Sequence, residues 1–83
     1  MKVATIRCPK VWTLISQVDD GDLYYIQNLG HYQVEYCVAT SLPADGDEGG
    51  CLLPKEQLKF KKVAGSLYMR TSEIIDLYIE KVE

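Results

Sequence analysis

Apolar and polar residues alternate with a period of two in two segments of the chain, residues 31–38 and 75–81. In the first segment, the side chains expected to share a buried face are Tyr32, Val34, Tyr36 and Val38. In the second segment they are Ile75, Leu77 and Ile79. Successive side chains of a strand point to opposite faces, so this pattern predicts two half-buried strands. A helix over residues 72–82, capped by Ser72, is the competing interpretation, but apolar spacing of two residues favours the strand.

Further strands are predicted where β-branched and aromatic residues run up to turn residues. Their expected ranges are 3–7, 11–18, 23–29, 57–63 and 67–70, with a short apolar piece at 51–53. Residues 28–31 indicate a tight reversal that joins the strands on either side into a hairpin. About seven or eight short, mostly antiparallel strands predict an all-β fold, either a single small β-sandwich or a partly open β-barrel.

The length of the chain predicts one domain. Its 83 residues suit a single β domain over 1–83, in which residues 1–10 form an N-terminal strand or arm. Residues 41–50 form the longest loop, which is acidic, rich in Gly and expected to be mobile. A domain of this size has a thin core, so its stability often depends on association with partners.

Composition and charge narrow the classes of partner. The chain is 47% hydrophobic and 25% charged, which is ordinary for a globular protein. A net charge of −3 argues against nucleic-acid binding, which usually needs a basic surface. Lys55, Lys59, Lys61 and Lys62 form the one basic cluster, interpreted as a solvated strand face or a protected sheet edge. We expect no membrane segment and no secretory signal, because there is no long apolar run.

Few side chains suggest reaction chemistry. His31 is the only histidine, and the three cysteines, Cys8, Cys37 and Cys51, are too widely spaced to indicate a zinc site or a disulfide framework. No recognisable motif supports a Cys–His nucleophilic pair. Residues 19–22 are acidic but lack the spacing of a calcium loop. We therefore expect a protein with reduced thiols and no enzymatic activity, catalytic residue, metal or cofactor.

The aromatic residues are the remaining candidates for binding. Tyr24 and Tyr25 are adjacent, so on a strand they point to opposite faces and one of them should lie outside the core. An exposed tyrosine, or Trp12, could contact protein or sugar through an apolar ring with a polar tip. Strand edges and the loop 41–50 are the expected interface. The predicted interface residues are Tyr24, Tyr25, Asp45 and Asp47.

Several segments follow one another in an order that resembles small all-β virion structural proteins of tailed bacteriophages. They are residues 12–15 (Trp-Thr-Leu-Ile), 25–30 (Tyr-Ile-Gln-Asn-Leu-Gly), 39–43 (Ala-Thr-Ser-Leu-Pro), 49–54 (Gly-Gly-Cys-Leu-Leu-Pro) and 64–70 (Ala-Gly-Ser-Leu-Tyr-Met-Arg). The likeness covers roughly residues 11–82, and the chain departs from it in its cysteines and its Tyr-rich segment at 32–36. It implies a sandwich or barrel that serves as a capsid decoration, fibre-attachment or head–tail accessory subunit. It implies no catalytic residues.

The hypothesis that follows is a non-enzymatic virion structural protein of a tailed phage, synthesised in the host cytoplasm. It would mediate protein–protein assembly on the capsid, neck or tail. Its expected partners are other virion proteins and further copies of itself as a homo-oligomer, with no nucleic acid and no membrane. The alternative is a small β binding module for carbohydrate or a host protein, for example a phage inhibitor of a host enzyme.

Overall fold

A computed structural model describes residues 2–61 and 65–82, which form eight β-strands in two antiparallel four-stranded sheets. The strands are β1 (Lys2–Cys8), β2 (Thr13–Leu14), β3 (Leu23–Asn28), β4 (Val34–Ala39), β5 (Gly50–Leu52), β6 (Gln57–Lys61), β7 (Ser66–Thr71) and β8 (Ile75–Val82). Sheet A has the order β1-β8-β3-β6, and sheet B has the order β2-β7-β4-β5. The all-β prediction is confirmed, and the two packed sheets make the fold a β-sandwich. Within the described residues, no helix has the length and apolar character needed to span a bilayer.

The core lies between the inner faces of the two sheets. Ile75, Leu77 and Ile79 of β8 are buried as their alternation predicts, so the strand is confirmed and the helix over residues 72–82 is excluded. From the facing sheet, the side chains that pack against them are Val34, Leu52, Leu67 and Met69. The molecule measures 34 × 28 × 16 Å. Its shortest dimension fits two layers whose backbones lie about 10 Å apart.

The predicted alternation in residues 31–38 holds only at the start of β4. Val34 is fully buried and Tyr36 packs against the core, but Val38 is 45% exposed and Tyr32 lies before the strand. β5 pairs only with residues 34–36. The far end of β4 therefore has a neighbouring strand on one side alone, which leaves Val38 open to solvent.

The predicted hairpin at residues 28–31 is wrong, because β3 and β4 belong to different sheets. The fully buried Asn28 holds the crossover: its side-chain amide donates to the carbonyl oxygens of Tyr32 (2.7 Å) and Leu52 (3.2 Å). Its Oδ1 accepts the N–H of Gly30 at 2.9 Å. Gly30 is packed so tightly that a Cβ there would lie 2.4 Å from Cγ2 of Ile75. The segment thus carries the chain between sheets instead of reversing it within one.

The predicted strand at residues 11–18 contains only the two-residue strand β2. Trp12, Ile15 and Val18 are buried, so the apolar spacing is three residues and not two. These side chains reach the interior from an irregular segment, fixed in part by the N–H of Ile15, which donates to the carbonyl of Leu67 at 2.9 Å. The β-branched residues of this segment favour a strand, but only Thr13 and Leu14 form one.

β6 forms an edge of sheet A and pairs with β3. Lys59 and Lys61 are exposed and alternate with the half-buried Leu58 and Phe60. The interpretation of this part of the basic cluster as a solvated strand face at a sheet edge is confirmed. Residues 62–63, the end of the predicted strand, and residue 64 of the following turn lie outside the described residues.

Candidate functional site

The sandwich has two outer faces, and the predicted interface residues are divided between them. In β3, Tyr25 alternates with the buried Tyr24, so it points away from the core on the outer face of sheet A. Asp45 and Asp47 belong to the loop between β4 and β5, which is bound to Arg70 on the outer face of sheet B. The predicted residues therefore do not form one surface.

Tyr24 is a core residue, which corrects the prediction that it contributes to an interface. Its side chain is 1% exposed, and its hydroxyl accepts the backbone N–H of Asp19 at 2.9 Å. This bond fastens the irregular segment before β3 to the interior. The expectation that one of the two tyrosines lies outside the core is confirmed, and the half-buried Tyr25 is that residue.

The outer face of sheet B is covered by the β4–β5 loop, and we call Trp12, Glu35, Arg70 and residues 41–49 the latched face. Arg70 and Glu35 are direct cross-strand partners, and the guanidinium donates to both carboxylate oxygens, at 3.3 and 3.4 Å. It also donates to the carbonyl oxygens of Asp45 (2.7 Å) and Asp47 (2.9 Å). One arginine thus ties the loop to two strands.

On the latched face, the ring of Trp12 lies beneath the side chain of Arg70. The Arg70 guanidinium lies 4.3 Å from the centroid of the Trp12 ring, and the indole N–H donates to the carbonyl of Ala44 at 3.1 Å. Trp12 is only 5% exposed, so the suggestion that it contacts sugar is wrong. Residues 41–49 contain no strand, as predicted, and their mobility stays a prediction.

A small cleft of about 160 Å³ opens beside the latched face. It is lined by Lys10, Gln33, Glu35, Arg70, Thr71 and Ser72. Pockets for drug-sized ligands usually enclose roughly 300–1,000 Å³. Both cations are already engaged, since the Lys10 ammonium lies 3.3 Å from a Glu73 oxygen and Arg70 is paired with Glu35. We assign no ligand to this cleft.

The outer face of sheet A presents two tyrosines within three rows of cross-strand neighbours, and we call these rows the open face. The rows are Val82, Leu23 and Lys61; Glu80, Tyr25 and Lys59; and Tyr78, Gln27 and Gln57. The members from β3 and β8 are half-buried and those from β6 are exposed. Because the alternating residues of the same strands are fixed in the core, the open face is a preformed surface.

The acidic and basic side chains of the open face differ in whether another described residue binds them. The Tyr78 hydroxyl donates to Oε1 of Glu80 at 3.1 Å. Partial desolvation, followed by this bond and the charge of Glu80, raises the pKa of Tyr78 above its usual value, so the phenol remains a donor at neutral pH. Lys59 and Lys61, in contrast, form no ion pair with any other described residue.

The cysteines are spread over different environments. Cys8 is buried, Cys37 is half-buried and Cys51 is exposed. Burial raises the pKa of Cys8 to about 11, so it is a protonated, weakly nucleophilic thiol at neutral pH. In the part of the chain that the structure describes, no three His, Cys, Asp or Glu side chains are grouped as metal ligands.

Glu35 and Arg70 were not identified from the sequence, although Arg70 ends one of the segments that resemble phage proteins. The two residues are 35 positions apart, so no local pattern connects them.

The open face can contact a partner through its tyrosine rings, with hydrogen-bonding and charged groups around them. Comparison of the chain with known protein families, with curated proteins and with solved structures finds no match.

Proposed function

We propose that this chain is a non-enzymatic structural protein of a tailed-phage virion and that it assembles with other virion proteins through the open face. The observation that carries the proposal is the position of Tyr25 and Tyr78, half-exposed on a preformed sheet surface. Tyrosine is enriched in protein interfaces because a rigid ring gives a large contact area and its hydroxyl remains able to hydrogen-bond. The order of sequence segments that resembles phage virion proteins supports the virion as the location.

The polarity of the open face also suits a protein partner. Leu23 and Val82 are paired neighbours that offer apolar area, and Gln27 and Gln57 are paired neighbours that offer amide groups. Lys59 and Glu80 flank Tyr25 on either side. An apolar and aromatic centre with polar and charged surroundings is the usual composition of a non-obligate interface.

Mass spectrometry of purified particles of the phage that encodes the chain tests the proposal, with the copy number determined. A copy number that is a fixed multiple set by the particle symmetry supports a virion subunit. Particles that are infectious and do not contain the protein contradict it.

A variant pair tests whether the open face is the assembly surface. Tyr25→Ser should lower incorporation into particles, because it removes the ring with little effect on the core. Arg7→Gln is the matched control, since Arg7 lies in sheet A beyond the three rows and its ion pair with Asp76 is largely exposed. Equal incorporation of both variants argues for another surface.

A module that binds a host protein would use the same open face, whose polarity suits any protein partner. The same preparation distinguishes this second candidate. Absence from particles, together with a host protein in stoichiometric complex with the isolated chain, favours the host-binding module. Loss of that complex in Tyr25→Ser would place the host protein on the open face.

A further inference from the structure

We propose that β6 docks an extended acidic strand of a partner protein that is not a second copy of this chain. This inference rests on the proposed function only in that it specifies the partner's chemistry at the margin of the open face. β6 contributes Lys59 and Lys61 to the open face and also forms a free edge of sheet A, and it is this edge that would pair with the partner strand.

The backbone of β6 offers hydrogen-bonding groups along its outer side. Just before β6, the N–H of Asn28 donates to the carbonyl of Glu56 at 3.1 Å, so this position is bonded toward β3. Bonding alternates along an antiparallel pair, and the next positions bonded to β3 are therefore Leu58 and Phe60. The N–H and C=O groups that point to the free edge then belong to Gln57, Lys59 and Lys61.

The side chains of β6 define what an added strand must carry. Lys59 and Lys61 lie on the open-face side, while Leu58 and Phe60 lie on the core side and are half-buried. A strand paired with this edge would place alternate residues opposite the lysines and the residues between them beside Leu58 and Phe60. The fitting partner alternates carboxylates with apolar side chains.

No carboxylate of the neighbouring strand lies opposite the two lysines. Their cross-strand neighbours in β3 are Tyr25 and Leu23, which are uncharged. Neither lysine has an ion pair with another residue of the described ranges 2–61 and 65–82. Opposite charges directly across a strand pair are favourable, so acidic residues on an incoming strand would complete these rows.

The described edges of a second copy do not meet this requirement. Two β6 strands paired antiparallel would bring lysines opposite lysines, and like charges directly opposite are destabilising. The other edge strands have the sequences KVATIRC in β1, TL in β2 and GCL in β5, none of which contains a carboxylate. Lysines commonly protect a sheet edge from indiscriminate pairing, and here they also select the sign of the partner.

Binding of two designed peptides by the full chain tests the proposal. Both peptides have about eight residues, enough for one strand, and alternate valine with either glutamate or lysine. We expect the glutamate peptide to bind, to lose affinity as salt is added, and to slow amide hydrogen exchange at Gln57, Lys59 and Lys61. The lysine peptide should leave these amides unchanged.

Charge reversal at the edge should weaken binding of the glutamate peptide. Lys59→Glu is expected to weaken binding of the glutamate peptide by about tenfold, since it replaces an attraction by a repulsion. Lys2→Glu changes the net charge equally on β1, at the opposite edge of sheet A, where Lys2 is the cross-strand partner of Glu80. It should weaken binding by less than about twofold, because three strand spacings, roughly 14 Å, separate it from Lys59 and its charge is screened over that distance.

Proline separates backbone pairing from charge. Lys59→Pro removes an N–H that faces the free edge, so it should leave the chain folded yet lower affinity further than Lys59→Gln does. Equal binding of the two peptides, binding without slowed exchange in β6, or no binding by either peptide overturns the proposal. If these peptides fail while Tyr25→Ser still prevents incorporation into particles, the proposed function stands and this inference alone is lost.

Discussion

The two outer faces of the sandwich place aromatic and cationic side chains together with opposite results. On the latched face, Trp12 lies beneath Arg70, whose charge is balanced by Glu35 and whose other donors hold the loop. On the open face, Tyr25 is half-exposed beside Lys59, which has no ion pair with another described residue. The same residue types therefore stabilise the fold on the latched face and remain accessible to solvent on the open face.

The ion pairs of the two outer faces also differ in how far their side chains are exposed to solvent. The side chains of Arg70 and Glu35 are 18% and 32% exposed, whereas those of Arg7 and Asp76 on the outer face of sheet A are 75% and 50% exposed. Hydrogen bonds to charged groups contribute about 1.5–3 kcal/mol when shielded, and surface ion pairs contribute roughly 0–1 kcal/mol. The arginine of the latched face is thus part of the fold, while the pair on sheet A contributes little to it.

Between the two faces, the larger effect should come from removing the tryptophan of the latched face. Trp12→Ala is expected to lower the free energy of unfolding by about 3–5 kcal/mol, because a buried ring is lost and a cavity remains. Tyr78→Ala on the open face is the matched aromatic deletion and should cost about 1 kcal/mol, since its ring is half-exposed. Urea denaturation of both variants gives the two values, and similar losses would remove the distinction between the faces.

Alkaline titration examines the interior that both faces share. Burial raises the pKa of Cys8 from 9.0 to about 11, so the folded state keeps a proton that the unfolded state releases. The contribution of Cys8 is fully present below about pH 9 and is lost as pH rises toward 11, a decrease of about 2–3 kcal/mol.

Denaturation at a series of pH values, repeated with Cys8→Ala, isolates this contribution. The raised pKa of Tyr78 acts in the same direction at higher pH and remains in both proteins. The part of the alkaline loss that disappears in Cys8→Ala belongs to the interior thiol. A variant with an unchanged pH profile would show that this thiol ionises as easily in the folded chain as in the unfolded one.

A double-mutant cycle compares the ion pairs of the two faces directly. Arg70→Met and Glu35→Gln should show a coupling of about 1–2 kcal/mol, because the pair is partly buried and makes two hydrogen bonds. The control cycle, Arg7→Met with Asp76→Asn, should give less than about 0.5 kcal/mol for an exposed pair. A control coupling as large as the first would mean that the charges of sheet A also hold the fold.

Alternation along the sequence predicts which face of a strand is buried, where the strand's own spacing of apolar residues decides it. The buried face of β8, Ile75, Leu77 and Ile79, follows from the period of two alone. The path at Asn28 could not be predicted in the same way, because its amide binds Leu52, which is 24 residues away. A buried asparagine and a turn asparagine look alike in sequence, and only the distant carbonyl distinguishes a crossover from a hairpin.

The candidate site was predictable to a similar degree. Adjacency placed Tyr24 and Tyr25 on opposite faces, but the choice of which one is buried depends on how β3 packs against the rest of the core. The latched face was not foreseen, since Trp12, Glu35 and Arg70 meet only after sheet B has formed. Long-range contacts of this kind have no periodic signature along the chain.

The smallest effect on stability, with the greatest consequence for function, is expected at Tyr25. Tyr25→Ser should lower the free energy of unfolding by about 1 kcal/mol or less, because the half-exposed ring leaves no enclosed cavity. Tyr24→Ser, the adjacent residue in the same strand, should cost about 3–5 kcal/mol, because it empties core volume and removes the acceptor of the Asp19 N–H.

For association with the partner, measured on folded protein, the order of the two tyrosine variants should be reversed. An aromatic residue at the centre of an interface can contribute about 2 kcal/mol or more to binding, so folded Tyr25→Ser should associate with its partner roughly thirtyfold or more weakly. Folded Tyr24→Ser, measured at low temperature or with a stabilising osmolyte, should associate normally because its ring never reaches the surface. Light scattering on mixtures of the chain with its partner measures both. A Tyr25→Ser protein that loses stability as Tyr24→Ser does would make the open face part of the fold, as the latched face is.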